Sequence, residues 1–282
     1  MTENNTFTIG IVGLGLIGGS FAKAYHAAGH KVLAFDKDAS ILEFAKLSGN
    51  VDADLSRENL KDCDLILVCV YPQAAAEYLN SEGPYIGTRP IVIDCCGTKR
   101  VIVDAGMDAA KQFGFTYVGG HPMAGTQFSG FKHARKDMFK GAPMVIVPPT
   151  NDNLDLLMRI KDLLAPAGFK SITVSSAEKH DEMIAFTSQL AHVVSSAYIK
   201  SPTARAHKGF SAGSYKDMTR VAWLNPEMWA ELFLDNKDYL SDEIDALIDN
   251  LTAYKEALAA DDREGLIELL QEGKQLKEEI DG

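Results

Sequence analysis

Cysteine is scarce in this chain, and its four copies, Cys63, Cys69, Cys95 and Cys96, all fall in the first half of the 282 residues. They sit mostly in apolar, strand-like runs, where cysteine behaves as a small buried hydrophobe. No spacing matches C-x-x-C or a zinc ligand set. Neither a disulfide framework nor a metal site is therefore expected, and the thiols are read as reduced and structural. Long apolar runs are also missing: the longest, Leu65 to Tyr71, falls far short of the roughly 20 residues that span a bilayer. The polar opening MTENNTF lacks the basic-then-apolar layout of a signal peptide, which points to the cytoplasm. Positive charge has no surplus either. The formal net charge is −11, with 14 basic and 15 acidic residues over 1–150 against 14 and 24 over 151–282. An acidic second half argues against nucleic acid or an anionic membrane as partner. An anionic substrate would need specific Arg, Lys or helix N-termini to overcome that field locally. No internal repeat or low-complexity segment stands out, and no appended regulatory domain is expected after the last helical pattern.

What is present changes character along the chain, and a length of 282 residues favours two domains over one. Up to Val174, short β-branched runs alternate with helical patterns, the mark of a parallel α/β sheet. The expected strands are Phe7–Val12, Lys31–Phe35, Leu65–Val70, Ile91–Asp94, Thr116–Val118, Pro143–Val147 and Ser171–Val174. Helices such as Ile17–Ala28, Ile41–Leu47 and Leu154–Leu164 fall between them. From Ser175 no strand is evident. Ser175 and Glu178 form an S-x-x-E capping box that opens a long helix toward Ile199, and Ser201-Pro202 ends it. Further helices are expected around Met218–Trp223 and Pro226–Leu240, from Ser241 through Leu258, and from Asp261 or Asp262 to near Ile280. Residues 1–174 thus read as an α/β domain and 175–282 as an all-helical one. A helical half with broad apolar faces completes its core most readily against a second copy, so a homodimer is expected.

The first domain carries its own ligand signal. Gly13, Gly15 and Gly18 form G-x-G-x-x-G directly after the strand TIGIV and at the start of the helix LIGGSFAKAYHAA. Gly13 permits the tight turn, Gly15 lets a pyrophosphate approach the backbone, and Gly18 lets helix and strand pack closely. The N–H groups of Leu16 and Ile17 at the helix start offer partial positive charge to phosphates. Asp36 ends the next strand, where a carboxylate accepts from the adenosine ribose hydroxyls and repels a 2′-phosphate. This strand, turn, helix, strand and acid define a Rossmann-type dinucleotide-binding domain and favour NAD over NADP, although Lys37 softens the repulsion.

A dinucleotide fold does not name a reaction. The segment GGHPMAGTQFSGF, residues 119–131, follows the strand Thr116–Val118, so His121 should sit at the carboxyl end of the sheet beside the nicotinamide crevice. A neutral imidazole there can take a proton from a substrate hydroxyl while hydride leaves the same carbon.

At these residues the chain resembles a known family. GLGLIGGS, DCCGTK, GGHPMAG and YKDMTRVA…NPEMW occur in the order and spacing of prephenate dehydrogenases, and the resemblance runs from Phe7 into the helical half. It implies oxidative decarboxylation of prephenate to 4-hydroxyphenylpyruvate with NAD, a step of tyrosine biosynthesis, on a Rossmann domain joined to a helical dimerisation domain. It implies His121 as the group bonded to the ring hydroxyl and Arg220 as the carboxylate-binding arginine, whose planar fork no lysine copies. It places His192 on the active-site face of the long helix, one turn after Ser188, with Asp217 orienting Arg220 and Trp229 shaping the entrance. His180, at the start of that helix, is read as an interface contact without a catalytic role. Thr126 and Gln127, in the segment after His121, and Gly97 are expected at the substrate.

Two positions depart from the family pattern. Gly97 stands where many members carry a serine that bonds to the substrate hydroxyl, a task left to Thr98, a backbone N–H or water. Gln127 stands where an acidic side chain would favour the ammonium of arogenate, so prephenate is the expected substrate. Arogenate dehydrogenase or a dual-specificity cyclohexadienyl dehydrogenase is the nearest alternative. A 3-hydroxyacid dehydrogenase would need a Lys and an Asn one turn apart on the long helix, but Lys179 is followed at that spacing by Met183. A non-catalytic NAD sensor would have no need to keep His121, Arg220 and Asp36 together.

Overall fold

The apolar runs form strands buried on both faces. Ile9, Ile11, Leu65, Leu67, Ile91 and Ile93 pack into one core, and Ile66, Val68 and Val92 of the same strands pack into a second on the opposite side. Burial on both faces requires helices on both, the arrangement that parallel strands with crossover helices produce. In the computed structural model, which describes residues 6–126 and 128–281, the order is β1 (Thr8–Val12), α1 (Leu16–Ala27), β2 (Lys31–Phe35), α2 (Ala39–Leu47) and β3 (Ala53–Asp54), then β4 (Leu65–Val68), α3 (Pro72–Ile86), β5 (Ile91–Asp94) and α4 (Arg100–Phe113), then β6 (Thr116–Pro122), β7 (Pro143–Val147), α5 (Leu154–Leu164) and β8 (Ser171–Val174). They form one eight-stranded sheet in the order β3-β2-β1-β4-β5-β6-β7-β8. The chain moves outward from β1 in one direction and from β4 in the other. That reversal opens a crevice at the carboxyl ends of β1 and β4, where ligands of such sheets bind.

Beyond shifts of one or two residues at strand ends, with β1 starting at Thr8 and β4 stopping at Val68, two features of the sheet differ from the sequence reading. The short β3 has no counterpart there, because two residues carry too little pattern to register. More consequentially, β6 does not stop at Val118. Thr116–Val118 pair in parallel with β5, and Gly119–Pro122 continue past its end to pair antiparallel with β7, so the sheet is mixed and His121 lies within a strand, opposite Val145. The two glycines make this possible. A Cβ at Gly120 would collide with the Asp94 carbonyl and the Ile93 side chain, and one at Gly119 with Val103.

The second half is helical: α6 (Ala177–Ile184), a π-helical segment (Ala185–Leu190), α7 (Ala191–Ile199), α8 (Gly213–Thr219), α9 (Pro226–Asp235), α10 (Lys237–Ala259) and α11 (Arg263–Asp281). The N-cap of α6 is Ser176, one residue after the position read from the capping box: its side chain accepts from Lys179 N at 3.1 Å, while the Ser175 hydroxyl turns to the Ser176 carbonyl. The helix starting at Pro226 ends at Asp235 rather than Leu240. Asn236 is drawn out of it by donating to the Asp181 carbonyl at 2.9 Å and to Gln189 Oε1 at 2.8 Å. Ser241 consequently begins nothing and falls inside α10. Met218 likewise lies in α8, which ends earlier than read, and Arg220–Ala222 form a separate short 3-10 turn. No helix among the described residues is long and apolar enough to cross a membrane.

Candidate active site

The glycine turn is held from both sides. Gly13 adopts φ +87°, its N–H donates to the Phe35 carbonyl at 2.7 Å, and the next N–H, of Leu14, donates to Asp36 Oδ2 at 2.6 Å. Asp36 Oδ1 accepts from Asp38 N at 2.9 Å, so the carboxylate at the end of β2 is fixed relative to the turn. A Cβ at Gly18 would collide with the Gly13 carbonyl oxygen, whereas one at Gly15 would meet only open space. Gly15 caps α1 without a side-chain hydrogen bond, and the first turn holds no acidic residue. The N–H groups that open α1, at Leu16, Ile17 and Gly18, thus face an anion-binding position with no competing side chain.

At the neighbouring strand ends the polar groups are buried. Asp94, last residue of β5, is inaccessible and accepts from Tyr117 Oη at 2.7 Å, Cys96 N at 3.0 Å and Gly120 N at 3.1 Å, and its other close partner is Lys99 Nζ, also inaccessible. The bonds from Tyr117 and Gly120 pin β6 just ahead of His121. The four cysteines are free thiols; burial pushes those of Cys63, Cys95 and Cys96 up, which leaves them protonated and inert.

His121 Nδ1 lies 2.8 Å from His180 Nε2, and His180 Nδ1 lies 2.7 Å from Asp181 Oδ1. His180 is therefore a buried neighbour of His121 and not an interface contact as its position at a helix start suggested. Asp181 in turn accepts from Lys99 N at 2.7 Å and Arg100 N at 2.9 Å, capping α4 from the helical half. Arg100 bonds on to Asp238 at 2.7 Å and Asn236 at 2.9 Å. Burial holds His121 well below the ordinary histidine pKa, reinforced by His180 and the Lys99 ammonium. Burial also lowers His180, with Lys99 adding to it and Asp181 opposing. Burial resists ionisation of Asp181, but the bonds from His180 and the two backbone N–H groups hold its carboxyl below the usual range. Both rings are thus neutral, and the aspartate charged, at neutral pH.

Unfolded histidines take up protons near pH 6.5, while these two resist protonation when folded. The unfolded state binds more protons as pH falls through that value, so stability falls with it. Denaturant titrations are expected to show a flat stability from pH 8 to 7 and a decline below about 6.5, with a slope of up to about 1.4 kcal/mol per pH unit for each histidine. His121→Asn should remove part of that slope.

The second cluster sits on the helical half. His192 Nδ1 faces the Ser188 carbonyl at 2.9 Å, and its ring stacks on Trp229 with centroids 3.8 Å apart. Burial lowers the pKa of His192, the Ser188 carbonyl opposes this, and the nearby Arg220 charge lowers it further. Arg220 and Asp217 are exposed, and no ion pair joins them among the described residues, so the expected orienting contact is not seen. On α9, one turn past Trp229, Leu232 reaches Gly97: a Cβ there would lie 3.3 Å from both Leu232 methyls. Glycine at this position thus accompanies a leucine packed over it. The Thr98 hydroxyl, one candidate for the missing serine, is buried and directed to Asp235 at 3.3 Å. Thr126 is exposed, and Gln127 lies outside the described residues.

Sequence reading missed Asp94, Lys99, His180 and Asp181. Asp94 and Lys99 open and close the DCCGTK motif, and His180 and Asp181 form an adjacent His-Asp pair at the start of a helix, but neither signal tells that these side chains are buried, because an ammonium is read as exposed unless its partner is known.

A glycine turn with open N–H groups and a neutral imidazole stand on the same carboxyl edge of the sheet, the combination that a nicotinamide-dependent dehydrogenase requires. Comparison with known proteins gives the family. Residues 21–173 match "Prephenate dehydrogenase, nucleotide-binding domain" and residues 176–272 match "Prephenate dehydrogenase, dimerization domain". The chain belongs to the prephenate dehydrogenase family. It is 29% identical over 280 residues to a cyclohexadienyl dehydrogenase of Zymomonas mobilis, covering 95% of this chain and 94% of that one. It is 27% identical to a prephenate dehydrogenase of Bacillus subtilis, covering 96% and 75%. Among solved structures, prephenate dehydrogenase of Aquifex aeolicus in complex with hydroxyphenyl propionate and NAD+ superposes with TM-score 0.84 at 26% identity, over 99% of this chain and all of that one. Arogenate dehydrogenase of Synechocystis does so with TM-score 0.79 at 26% identity, over 96% and 99%.

Proposed function

We propose that this protein catalyses the NAD-dependent oxidative decarboxylation of prephenate to 4-hydroxyphenylpyruvate, as a homodimer. The observation that carries the reading is His121, a neutral imidazole with Nδ1 engaged by His180 and Nε2 left for the substrate, on the same edge of the sheet as the nucleotide turn. The open N-terminus of α1 and the clearance at Gly15 fit a pyrophosphate, and Asp36 fits the ribose hydroxyls. NAD, bound there, supplies the hydride acceptor. His121 takes the proton of the ring hydroxyl as the hydride departs from the same carbon. Carbon dioxide leaves, the electrons of its C–C bond complete the aromatic ring, and His121 returns the proton to the ring oxygen. The balance is one substrate and NAD+ in, one phenol, carbon dioxide and NADH out.

Arg220 brings a bidentate cation to one substrate carboxylate in an otherwise acidic half. Trp229, stacked on His192, supplies a rigid wall to the pocket. Exposed apolar residues on the last helices, among them Ile248, Leu251, Leu258 and Leu270, support a second copy as their cover.

The relatives include enzymes named for prephenate, for arogenate and for cyclohexadienyl substrates, so the amino or keto group is the point to test. The purified protein is expected to form NADH with prephenate and NAD at a kcat/KM at least tenfold above that with arogenate. Gln127→Glu should shift the ratio toward arogenate by giving its ammonium a partner. Equal turnover of both substrates by the parent would replace the reading with dual specificity, and no turnover of either would leave a nucleotide sensor.

A further inference from the structure

We propose that His180 and Asp181, contributed by the helical half, are positioning residues that dictate which nitrogen of His121 is the base. The proposal rests on the reading of His121 as the proton acceptor and adds how that acceptor is assembled.

Hydrogen-bond capacity assigns each proton in turn. An ionised carboxylate only accepts, so Asp181 Oδ1 at 2.7 Å places the His180 proton on Nδ1. A neutral ring with its proton on Nδ1 has a lone pair on Nε2. That lone pair lies 2.8 Å from His121 Nδ1, which must then carry the proton of the second ring. By elimination Nε2 of His121 is unprotonated. Every member of the chain is committed: Asp181 cannot rotate away, because its two oxygens also accept from Lys99 N at 2.7 Å and Arg100 N at 2.9 Å. The alternative, a doubly protonated His180 donating to His121, would put a second cation beside the buried Lys99 ammonium, and burial already opposes it.

The same chain serves the charged state. When His121 Nε2 takes the substrate proton, the imidazolium still donates from Nδ1 to His180, whose dipole points at the Asp181 carboxylate. No proton need move between the rings for the charge to be stabilised. The groups facing the pair are Lys99 and Asp94 from the sheet side and Asp181 from α6, so one cation and two carboxylates set its field.

His121 belongs to the sheet, 59 residues before His180 on α6. The base is therefore in its working tautomer only while the two halves hold this arrangement, with Asp181 capping α4 and Arg100 clasping Asp238 and Asn236 as the ties between them.

Nitrogen-15 NMR of histidine side chains decides the matter without reference to any substrate. The chain has seven histidines, few enough to assign by single substitutions. Near pH 8, with NAD present, His121 and His180 are both expected to carry their proton on Nδ1, and the His121 pattern should switch or average in His180→Leu. Activity supplies the second arm. His180→Leu should lower kcat by about a hundredfold or more, since a base in the wrong tautomer is lost to catalysis. NAD affinity should stay near its parental value, and the protein should remain folded with a melting temperature lowered by several degrees, because Asp181 loses one donor but keeps the Lys99 and Arg100 N–H groups. His180→Gln, whose amide oxygen can accept from Nδ1, should recover at least tenfold of the loss. A parent protein with the His121 proton on Nε2, or His180→Leu with parental kcat, would overturn the proposal. A parent that turns over no cyclohexadienyl substrate would overturn the functional reading while the tautomer measurement still stands.

Discussion

Replacing His121 with asparagine is expected to lower kcat by about two to four orders of magnitude, the range associated with loss of a positioned general base. Asparagine keeps a donor that can reach His180 Nε2, so the burial and the hydrogen bond that hold the site together survive in part. What disappears is the unprotonated nitrogen. NAD should bind as before, since the glycine turn, the start of α1 and Asp36 make no hydrogen bond to His121. KM for the substrate should change far less than kcat, because a proton acceptor works mainly in the transition state. The acid limb of the pH–rate profile carries the same information. In the parent His121 resists protonation, so with His121 as the proposed base activity should persist well below pH 6.5 before it falls. In the variant that limb should vanish from whatever activity remains. A variant with more than about a tenth of the parental kcat would mean that another group removes the proton.

The largest effect on stability is expected at Lys99. Its ammonium and the Asp94 carboxylate are both inaccessible, and removing one partner of a buried ion pair costs about 3–5 kcal/mol because the other charge stays behind unneutralised. Tyr117, Cys96 N and Gly120 N still donate to Asp94 after Lys99→Met, which favours the lower end of that range. For a chain of this size, about 3 kcal/mol corresponds to a fall in Tm of roughly 6–12 °C. A consequence for the site goes with it. The Lys99 charge helps hold His121 and His180 neutral, so its removal should move the acid limb of the rate profile to higher pH. A second substitution, Asp94→Asn, should restore part of the lost stability by removing the orphaned charge. Calorimetry on the two variants measures the first effect and a pH–rate profile of Lys99→Met the second. A Tm unchanged within about 2 °C would show that the pair contributes little.

The parts of this molecule that can be read from its residues are those whose cause is local. A glycine that must turn at positive φ, a glycine that a carbonyl would strike, and an acid at the end of the following strand are spaced by the geometry of one βαβ unit. Gly13, Gly18 and Asp36 are placed by that spacing alone. Strand runs such as Lys31–Phe35 and Ile91–Asp94 keep their bounds because burial on both faces leaves an unbroken apolar signature. The place of His121 at the carboxyl edge of the sheet is legible from the strand before it, though the strand runs on through it.

Other features depend on partners distant in the chain. The antiparallel turn of β6 onto β7 comes from Gly119–Pro122 finding an edge that only the folded sheet provides. Asn236 breaks a helix because Asp181 and Gln189 wait to accept its amide. The π segment is a similar case. At 3.6 residues per turn, positions twelve apart, as His180 and His192 are, differ by about 120° around a helix. The wider i→i+5 turns of Ala185–Leu190 advance each residue by less, so the angle between His180 and His192 differs from that of an unbroken α-helix. Periodicity cannot announce such a segment, since a few residues of altered pitch look like ordinary helix.

The tautomer of His121 is the clearest division between the two kinds of knowledge. That a histidine stands at the sheet edge follows from the residues around it. Which of its nitrogens is free follows from His180 and Asp181, on the first helix of the other half. A proton is assigned by whatever donor or acceptor lies within about 3 Å of it, and that distance is set by how the helical half docks on the sheet, which no stretch of contiguous residues encodes.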